Sequence, residues 1–295
     1  VKSKESITNQ MNKTVIGIDV GGSATKIVGF RDNGDGEPLL ITPQYVQAAD
    51  PITSLYGAFG KFAAQNNLQL TDIERVMMTG VGASYAQQPI YNLDCRSVPE
   101  FSSVGIGGLY LSHLDEAIIV SMGTGTALIH AKRENGKVNT EYLGGTGVGG
   151  GTLLGLTHKI LGVDTFEHIE QLCRDGDLAN VDLRISDISK KHNYTGINES
   201  LTASNFGKLS DMATPGDIAL GIANMVAETV LMVSVFAARS YHIRDVVLTG
   251  NLSTMEPIAK VFQTLGPLFD INFITPEHAV FATVIGAALF NETEN

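Results

Sequence analysis

The residues that could do chemistry gather where short β-branched runs end. Asp19 sits near the end of the run Thr14–Val20 and leads into Gly21, Gly22, Ser23, Ala24, Thr25 and Lys26. Two further glycine-rich turns follow, Gly123-Thr124-Gly125-Thr126 and GGTGVGGGT over 144–152. Glycine at such points lets backbone N–H groups turn toward an anion with no Cβ in the way. The third turn runs into a predicted helix near Thr152, whose N-terminus adds partial positive charge. Asp19 is the kind of oxygen donor that Mg²⁺ takes, usually through water. Lys26 has the reach to meet a phosphate, although a lysine on a hairpin strand is equally read as a solvated charge. Taken singly, each turn reads as a tight turn and nothing more. Three of them with a strand-terminal carboxylate point to a nucleotide site. GxxxxGK[ST] is absent, and no GxGxxG opens a helix after the first strand.

These residues need a scaffold of alternating strands and helices. Thr14–Val20 and Thr25–Phe30 read as a β-hairpin, followed by a polar turn at 31–37. Helical spacing of Leu55, Phe59 and Phe62 predicts a helix over 52–66, and a strand is expected at 73–79 before Gly80. A helix over 98–114 opens after Pro99, which places Glu100 in its first turn. The pattern then restarts: strand 117–122, a Gly/Thr turn, and strand 127–131. Helices are expected at 152–161, 165–175 and 216–241, a strand at 245–248 ending in Thr249-Gly250-Asn251, and a helix at 255–265. A strand at 271–274 and a small-residue helix at 282–290 close the chain. Strands alternating with helices indicate an α/β fold. The repeated opening suggests two related halves, an N-terminal one over 14–116 and a C-terminal one over 117–295, preceded by a disordered leader at 1–13.

Composition narrows the partners. The chain has 295 residues, 31 acidic and 20 basic, for a net charge of −11. At roughly 150 residues per domain the length suits two domains. The acidic balance without a basic run argues against a nucleic-acid partner. Two cysteines, Cys95 and Cys173, cannot supply a four-cysteine zinc site or a disulfide framework, and they suit a reducing cytoplasm. The seven histidines show no metal-ligand spacing. The stretch 218–238 is apolar enough to raise the membrane question. Asn224 and Glu228 interrupt it, so a buried core or dimer helix is expected instead of a membrane span. A nearly buried Glu228 must be paired or protonated, at an interface or in a polar pocket.

The series DVGGSATK, MGTGT and TGN resembles the phosphate-1, phosphate-2 and adenosine motifs of the acetate-kinase, sugar-kinase, Hsp70 and actin superfamily. Within it the chain is similar to type II pantothenate kinases. The further matches are Pro99-Glu100-Phe101, GGTGVGGGTLLGL over 144–156, DTFE over 164–167, GDLANVD over 176–182, LTASNFG over 201–207 and FATVIGAAL over 281–289. In family order, they span nearly all of the chain from Val15 to Leu289.

The resemblance implies two related ribonuclease-H-like domains of the actin-like ATPase fold, with the nucleotide in the cleft between them. It implies a cytoplasmic homodimer that uses ATP and Mg²⁺ to phosphorylate pantothenate, the first step of coenzyme A synthesis. Coenzyme A or an acyl-CoA is the implied feedback ligand. Glu100 would be the catalytic base; by itself it also reads as a helix-start acid favoured by the dipole. Asp19, Val20, Gly21, Gly22, Ser23, Ala24, Thr25 and Lys26 would surround the phosphates, with Asp19 at Mg²⁺. Thr124, Gly150, Gly151, Thr152, Leu153 and Leu154 would lie along the nucleotide. Phe166 would sit near the base, where an aromatic is otherwise an ordinary core residue. Asn251 would stand on the adenosine side, and its plain reading is a left-handed turn residue. The apolar helix would supply the dimer contact through Met225, Val226, Met232, Val233 and Phe236.

One position departs from the family. Glu100, Tyr142 and Gly144 align with the acceptor side, and at Tyr142 the family carries an arginine that contacts the substrate, including its carboxylate. A guanidinium clamps a carboxylate through two parallel hydrogen bonds, whereas a phenol offers one and no charge. Losing such a bond costs about 1.5–3 kcal/mol, or about 10- to 100-fold in affinity. Arg133 and Lys137 are nearby in sequence as substitutes. Weaker pantothenate binding, an acceptor such as pantetheine that lacks the carboxylate, and rescue by another cation all stay open. So does a non-catalytic nucleotide or acyl-CoA sensor. A sugar kinase of the same superfamily ranks behind these.

Overall fold

The structure, a computed structural model, describes residues 13–21, 24–32, 38–46, 50–80, 89–188, 199 and 201–291. The expected leader and the predicted site residues Gly22 and Ser23 lie outside the described residues, apart from Lys13. Packing groups the chain into two compact units: 1–119 with 129–142 and 276–295, and 120–128 with 143–275. Segments 129–142 and 276–295, which the sequence reading placed in the second half, thus group with the first.

Unit one is built on a five-stranded sheet in the order β3-β2-β1-β4-β5, formed by β1 (Thr14–Val20), β2 (Thr25–Arg31), β3 (Leu39–Val46), β4 (Ile73–Thr79) and β5 (Cys95–Ser97). β1 and β2 form the expected antiparallel hairpin, while β4 runs parallel to β1. Strand alternation sends Ile16, Ile18 and Ile27 to one face, where Leu55, Phe59 and Phe62 of α1 (Pro51–Gln65) cover them. Asp50 caps α1, its carboxylate accepting from the Thr53 N–H at 2.7 Å. The other face carries Val28 and Phe30.

That second face is covered by the terminal helix, and the contact demands glycine. After α2 (Glu100–Ser112), the chain forms β6 (Glu116–Met122), β7 (Thr126–Glu134) and β8 (Lys137–Thr146), strands that run from one unit into the other. Then come α3 (Gly150–Leu161), α4 (Phe166–Arg174), β9 (Leu183–Arg184), α5 (Ile185–Ile188), β10 (Thr202–Ser204) and α6 (Pro215–Ser240). β11 (Asp245–Thr249), α7 (Glu256–Leu265), β12 (Asn272–Ile274) and α8 (Ala282–Leu289) complete the list. α8 lies over Val28 and Phe30 through Val284, Ile285 and Ala288. A Cβ on Gly17 would overlap the Val284 carbonyl oxygen. On the far side of α8, a Cβ on Gly107 would overlap the Ala282 carbonyl oxygen, and one on Gly286 the Ser103 carbonyl oxygen. The small-residue run at 282–288 is therefore a close-packing device.

The second sheet has the order β12-β11-β6-β7-β8. Reversed, this is third, second and first strand of the local run followed by two later strands, the same order as the first sheet. The repeat expected from the opening hairpins is thus present in the topology. Strands β3 and β8 were absent from the sequence reading. Both are edge strands of mostly half-exposed residues, β8 largely polar and β3 an apolar run broken at Thr42, Pro43 and Gln44, so neither shows the apolar alternation that marks a strand.

In unit two, α6 is long and apolar enough to cross a membrane by length and composition alone, yet 61% of its most apolar window is buried. Its polar row explains the interruptions. Thr214 and Asp217 form a capping box, and Asn224 Nδ2 donates to buried Asp182 at 2.8 Å. Glu228 accepts from Thr202 Oγ1 at 2.7 Å and from Asn205 Nδ2 at 3.0 Å. The expected polar pocket for Glu228 is supplied within the chain.

Replacing Gly107 or Gly286 by alanine should lower stability by about 1–3 kcal/mol or more, as overpacking does. Urea unfolding followed by circular dichroism checks this, with Gly57→Ala, which meets no atom within 4 Å, expected to be harmless.

Candidate functional site

The phosphate-side residues of unit one owe their positions to strand register. Asp19 stands directly opposite Lys26 across the β1–β2 ladder, and opposite Thr79 of the parallel β4. Directly opposed residues share a sheet face. For Asp19 and Lys26 this is the face that carries Gly17 and Val28, the one covered by α8. The Lys26 ammonium donates to the Val280 carbonyl at 2.7 Å, in the turn that enters α8. Gly21 closes the hairpin turn by donating its N–H to the Ala24 carbonyl at 2.9 Å.

Glu100 joins them from α2. Val98 donates its N–H to the Met78 carbonyl at 2.8 Å, tying the chain before the helix to β4. Pro99 is the N-cap, so Glu100 is the first helical residue, and its side chain is exposed. Burial pushes the Asp19 carboxyl up from its ordinary 3.8 to about 6; the Lys26 charge opposes this and the Glu100 charge reinforces it. Burial likewise lowers the Lys26 ammonium, with Asp19 acting against that shift. The three groups therefore form one electrostatic cluster. Gly80 completes it: with φ +87° it occupies the left-handed region, and a Cβ there would overlap Asp19 Oδ1.

Val20 and Thr25, both expected at the phosphates, have buried side chains; Thr25 Oγ1 accepts from Ser54 Oγ at 2.8 Å. Ala24 is buried too. The side chains of these three residues belong to the core. No cluster of three or more His, Cys, Asp or Glu side chains suited to a metal occurs among the described residues. The Asp19 carboxylate beside a second acid, Glu100, fits Mg²⁺, which is held by one or two carboxylates together with substrate phosphates and water.

The nucleotide-side residues of unit two assemble around two interlocked glycine turns. Gly150 N–H donates to the Gly123 carbonyl at 2.9 Å and Gly151 N–H to the Thr124 carbonyl at 2.8 Å. Thr126 Oγ1 donates to the Val148 carbonyl at 2.9 Å. The first amides of α3 are thus engaged by the neighbouring turn, where the sequence reading had them facing an anion. What the helix start retains toward an anion is its dipole. Glycine at 149 and 150 is what lets the turns approach, since a Cβ on Gly149 would lie 2.8 Å from Gly125 and one on Gly150 2.9 Å from the Gly123 carbonyl oxygen. The Phe166 ring lies against the same glycine, 3.2 Å from where a Gly150 Cβ would be. Thr165 caps α4 and sets that ring at the helix start. Thr152 Oγ1 donates to the Gly147 carbonyl at 3.0 Å and steadies the turn. Leu153 is fully buried, so its side chain belongs to the core, while Leu154 is half-buried.

The TGN turn packs beside this pair of turns. Thr249 Oγ1 donates to the Val120 carbonyl at 3.2 Å, and Gly250 has φ +87°, with a Cβ excluded by the Met122 backbone. The left-handed residue is therefore Gly250 and not Asn251. Thr124, Gly150, Gly151, Thr152, Phe166 and Asn251 are brought together in one unit; Asp19, Lys26 and Glu100 are brought together in the other.

The acceptor-side positions hold what the sequence reading missed. Tyr142 stacks on Phe101, the residue after Glu100, with ring centroids 4.2 Å apart and planes 8° from parallel. Phe101 stood out in the sequence only through the Pro99-Glu100-Phe101 match, and nothing there paired it with Tyr142. Gly144 has φ +123°. Arg133 and Lys137 do not stand near these rings. With His113 they line a cavity of about 620 Å³ at the C-terminal end of α2, about 20 Å from Glu100 at 1.5 Å per helical residue.

The Asp19 carboxyl should titrate near pH 6 in ¹³C NMR, and Lys26→Met should raise that midpoint by removing the charge that favours the carboxylate. The folded state binds this proton more tightly than the unfolded chain, so stability from Asp19 falls as pH rises from about 4 through about 6. A midpoint near 4 in the wild type would refute the burial account.

The Fumble family model matches residues 113–267. The chain is 31% identical over 263 residues to a type II pantothenate kinase of Oceanobacillus iheyensis, covering 84% of this chain and 88% of the relative. It is 26% identical over 286 residues to the type II pantothenate kinase of Staphylococcus haemolyticus, covering 94% and 99%. Among solved structures, the activator of the 2-hydroxyisocaproyl-CoA dehydratase from Clostridium difficile with bound ADPNP has a TM-score of 0.65 at 20% identity, covering 94% of this chain and 93% of that one. The ROK hexokinase from Thermus thermophilus has a TM-score of 0.54 at 12% identity, covering 94% and 97%. These two likenesses establish the fold, an actin-like ATPase architecture. With half of the chain matched by the family model and a relative above 30% identity, this chain belongs to the type II pantothenate kinase (Fumble) family.

Proposed function

We propose that this protein transfers the γ-phosphoryl group of ATP to the primary hydroxyl of pantothenate, giving 4'-phosphopantothenate for coenzyme A synthesis. The observation that carries the reading is the coupling of Glu100 to Asp19: an exposed acid at a helix start lies close enough to raise the affinity of a buried carboxyl for its proton. A base and a phosphate-side carboxylate in one electrostatic group are what phosphoryl transfer requires.

Glu100 accepts the proton of the attacking hydroxyl as its oxygen bonds to the γ-phosphorus. The bond from that phosphorus to the β,γ-bridging oxygen breaks, and ADP carries away the electron pair. Asp19 would hold Mg²⁺ through water, and the cation, when bound, supplies charge neutralisation at the phosphates. Lys26, anchored on the Val280 carbonyl, keeps Asp19 ionised near neutral pH and adds positive charge on the phosphate side. The Thr124 turn, the start of α3 and Phe166 accept the nucleoside portion, with Asn251 beside them.

The same reading includes a homodimer formed through α6, supported by Phe236, which is 58% exposed on an otherwise apolar helix. It includes coenzyme A or an acyl-CoA as feedback ligand, and a cytoplasmic location supported by the two free cysteines. Glu100→Gln should lower turnover by about 10²- to 10⁴-fold, the usual contribution of a general base, while ATP affinity stays within about twofold. Steady-state kinetics and calorimetric ATP titration check both halves. Unchanged turnover in the variant would remove Glu100 from the chemistry.

A further inference from the structure

We infer that Thr79 is a positioning residue for Asp19: its hydroxyl donates to the Asp19 carboxylate when that group serves a cation at the phosphates. The inference rests on the reading of Asp19 as the Mg²⁺ carboxylate and adds a residue to that site.

Thr79 ends β4 directly opposite Asp19 in the parallel ladder with β1, so the two side chains leave the same face of the sheet. Alternation along β4 agrees. Met77, two residues earlier, packs with Val98 before α2 and with Ala287 of α8, which covers that face. The Asp19 carboxylate already reaches this strand end, because a Cβ on Gly80, the next residue, would overlap Asp19 Oδ1. The charges that act on Asp19 there are Lys26 and Glu100.

Thr79 is 1% exposed, and its Oγ1 has no hydrogen-bond partner among the described residues. Leaving a buried hydroxyl in that condition is unfavourable. Other buried hydroxyls avoid it: Thr25 pairs with Ser54, Thr126 with the Val148 carbonyl and Thr157 with the Leu153 carbonyl. Thr14 Oγ1 and Gln44 Oε1 share the condition, but their ladder partners are Arg31, Ile73 and Ile27, none of them a site residue.

The internal repeat provides a comparison. In the second sheet β11 takes the place of β4, and it too ends in Thr-Gly, with Gly250 at the same φ of +87° as Gly80. There Thr249 Oγ1 donates to the Val120 carbonyl at 3.2 Å. The threonine is thus tied to backbone in the sheet whose first strand ends in Ser121 and Met122. It lacks a partner in the sheet whose first strand carries Asp19. A hydroxyl that donates to a carboxylate fixes its orientation and favours its ionised form, the form a cation takes.

Calorimetric titration with ADP, once with Mg²⁺ and once with EDTA, tests this alongside thermal unfolding. The wild type should bind ADP more tightly with Mg²⁺. Thr79→Val should weaken the Mg²⁺ titration by about tenfold, the worth of one hydrogen bond to a charged group, and leave the EDTA titration within about twofold. Its Tm should stay at or above that of the wild type, since no hydrogen bond is lost. Thr79→Ser should restore most of the affinity, and Thr79→Val placed on Asp19→Asn should add little to the loss from Asp19→Asn alone. Three results would each overturn the inference: a lower Tm with full Mg²⁺-dependent affinity, equal weakening in both titrations, or an undiminished effect on the Asp19→Asn background. A wild type whose ADP affinity is indifferent to Mg²⁺ overturns the reading of Asp19 itself.

Discussion

The chemistry of unit one depends on how closely α8 approaches its neighbours. Its backbone meets β1 at Gly17 and α2 at Gly107, two contacts at which even one methyl group would overlap a carbonyl oxygen. That approach sets α2 against the sheet face that ends in Asp19 and Lys26. Glu100, at the first turn of α2, is thereby brought within electrostatic reach of Asp19. The Val280 carbonyl, in the turn entering α8, is also the acceptor for Lys26. A single terminal helix thus fixes both the acid and the ammonium, and it does so through residues too small to announce a functional role.

Burial does the rest of the tuning. Asp19 lies where desolvation favours the neutral form, and Glu100 adds a like charge; Lys26 holds the balance from the opposite strand. The proton affinities of Asp19 and Lys26 are therefore properties of the cluster. In unit two the constraint differs. There the glycine turns hydrogen-bond to one another, Gly150 and Gly151 to Gly123 and Thr124, so the loop geometry is set before any ligand arrives. Preformed loops of this kind reduce the ordering cost of binding.

The departure at Tyr142 acquires meaning only beside Phe101. Read along the chain, it is a lost arginine. In the folded unit it is half of a stacked pair held beside the start of α2, and Arg133 and Lys137 line a cavity at the far end of that helix.

Sequence alone determined the hairpins around Asp19 and Gly123, the helices at Glu100, Gly150 and Pro215, and the α/β class, because local periodicity, caps and glycine turns carry those signals. It also fixed the family, since the motifs keep their residue types and order. The edge strands β3 and β8 were invisible, because solvent on their faces removes the apolar alternation. The engagement of the Gly150 and Gly151 amides, the core side chains of Val20, Thr25 and Leu153, and the Phe101–Tyr142 stack were decided only by tertiary structure. So was the pairing of Glu228 with Thr202 and Asn205. Each of these joins residues distant in sequence or depends on which way a side chain faces in a packed unit, and no local pattern encodes that.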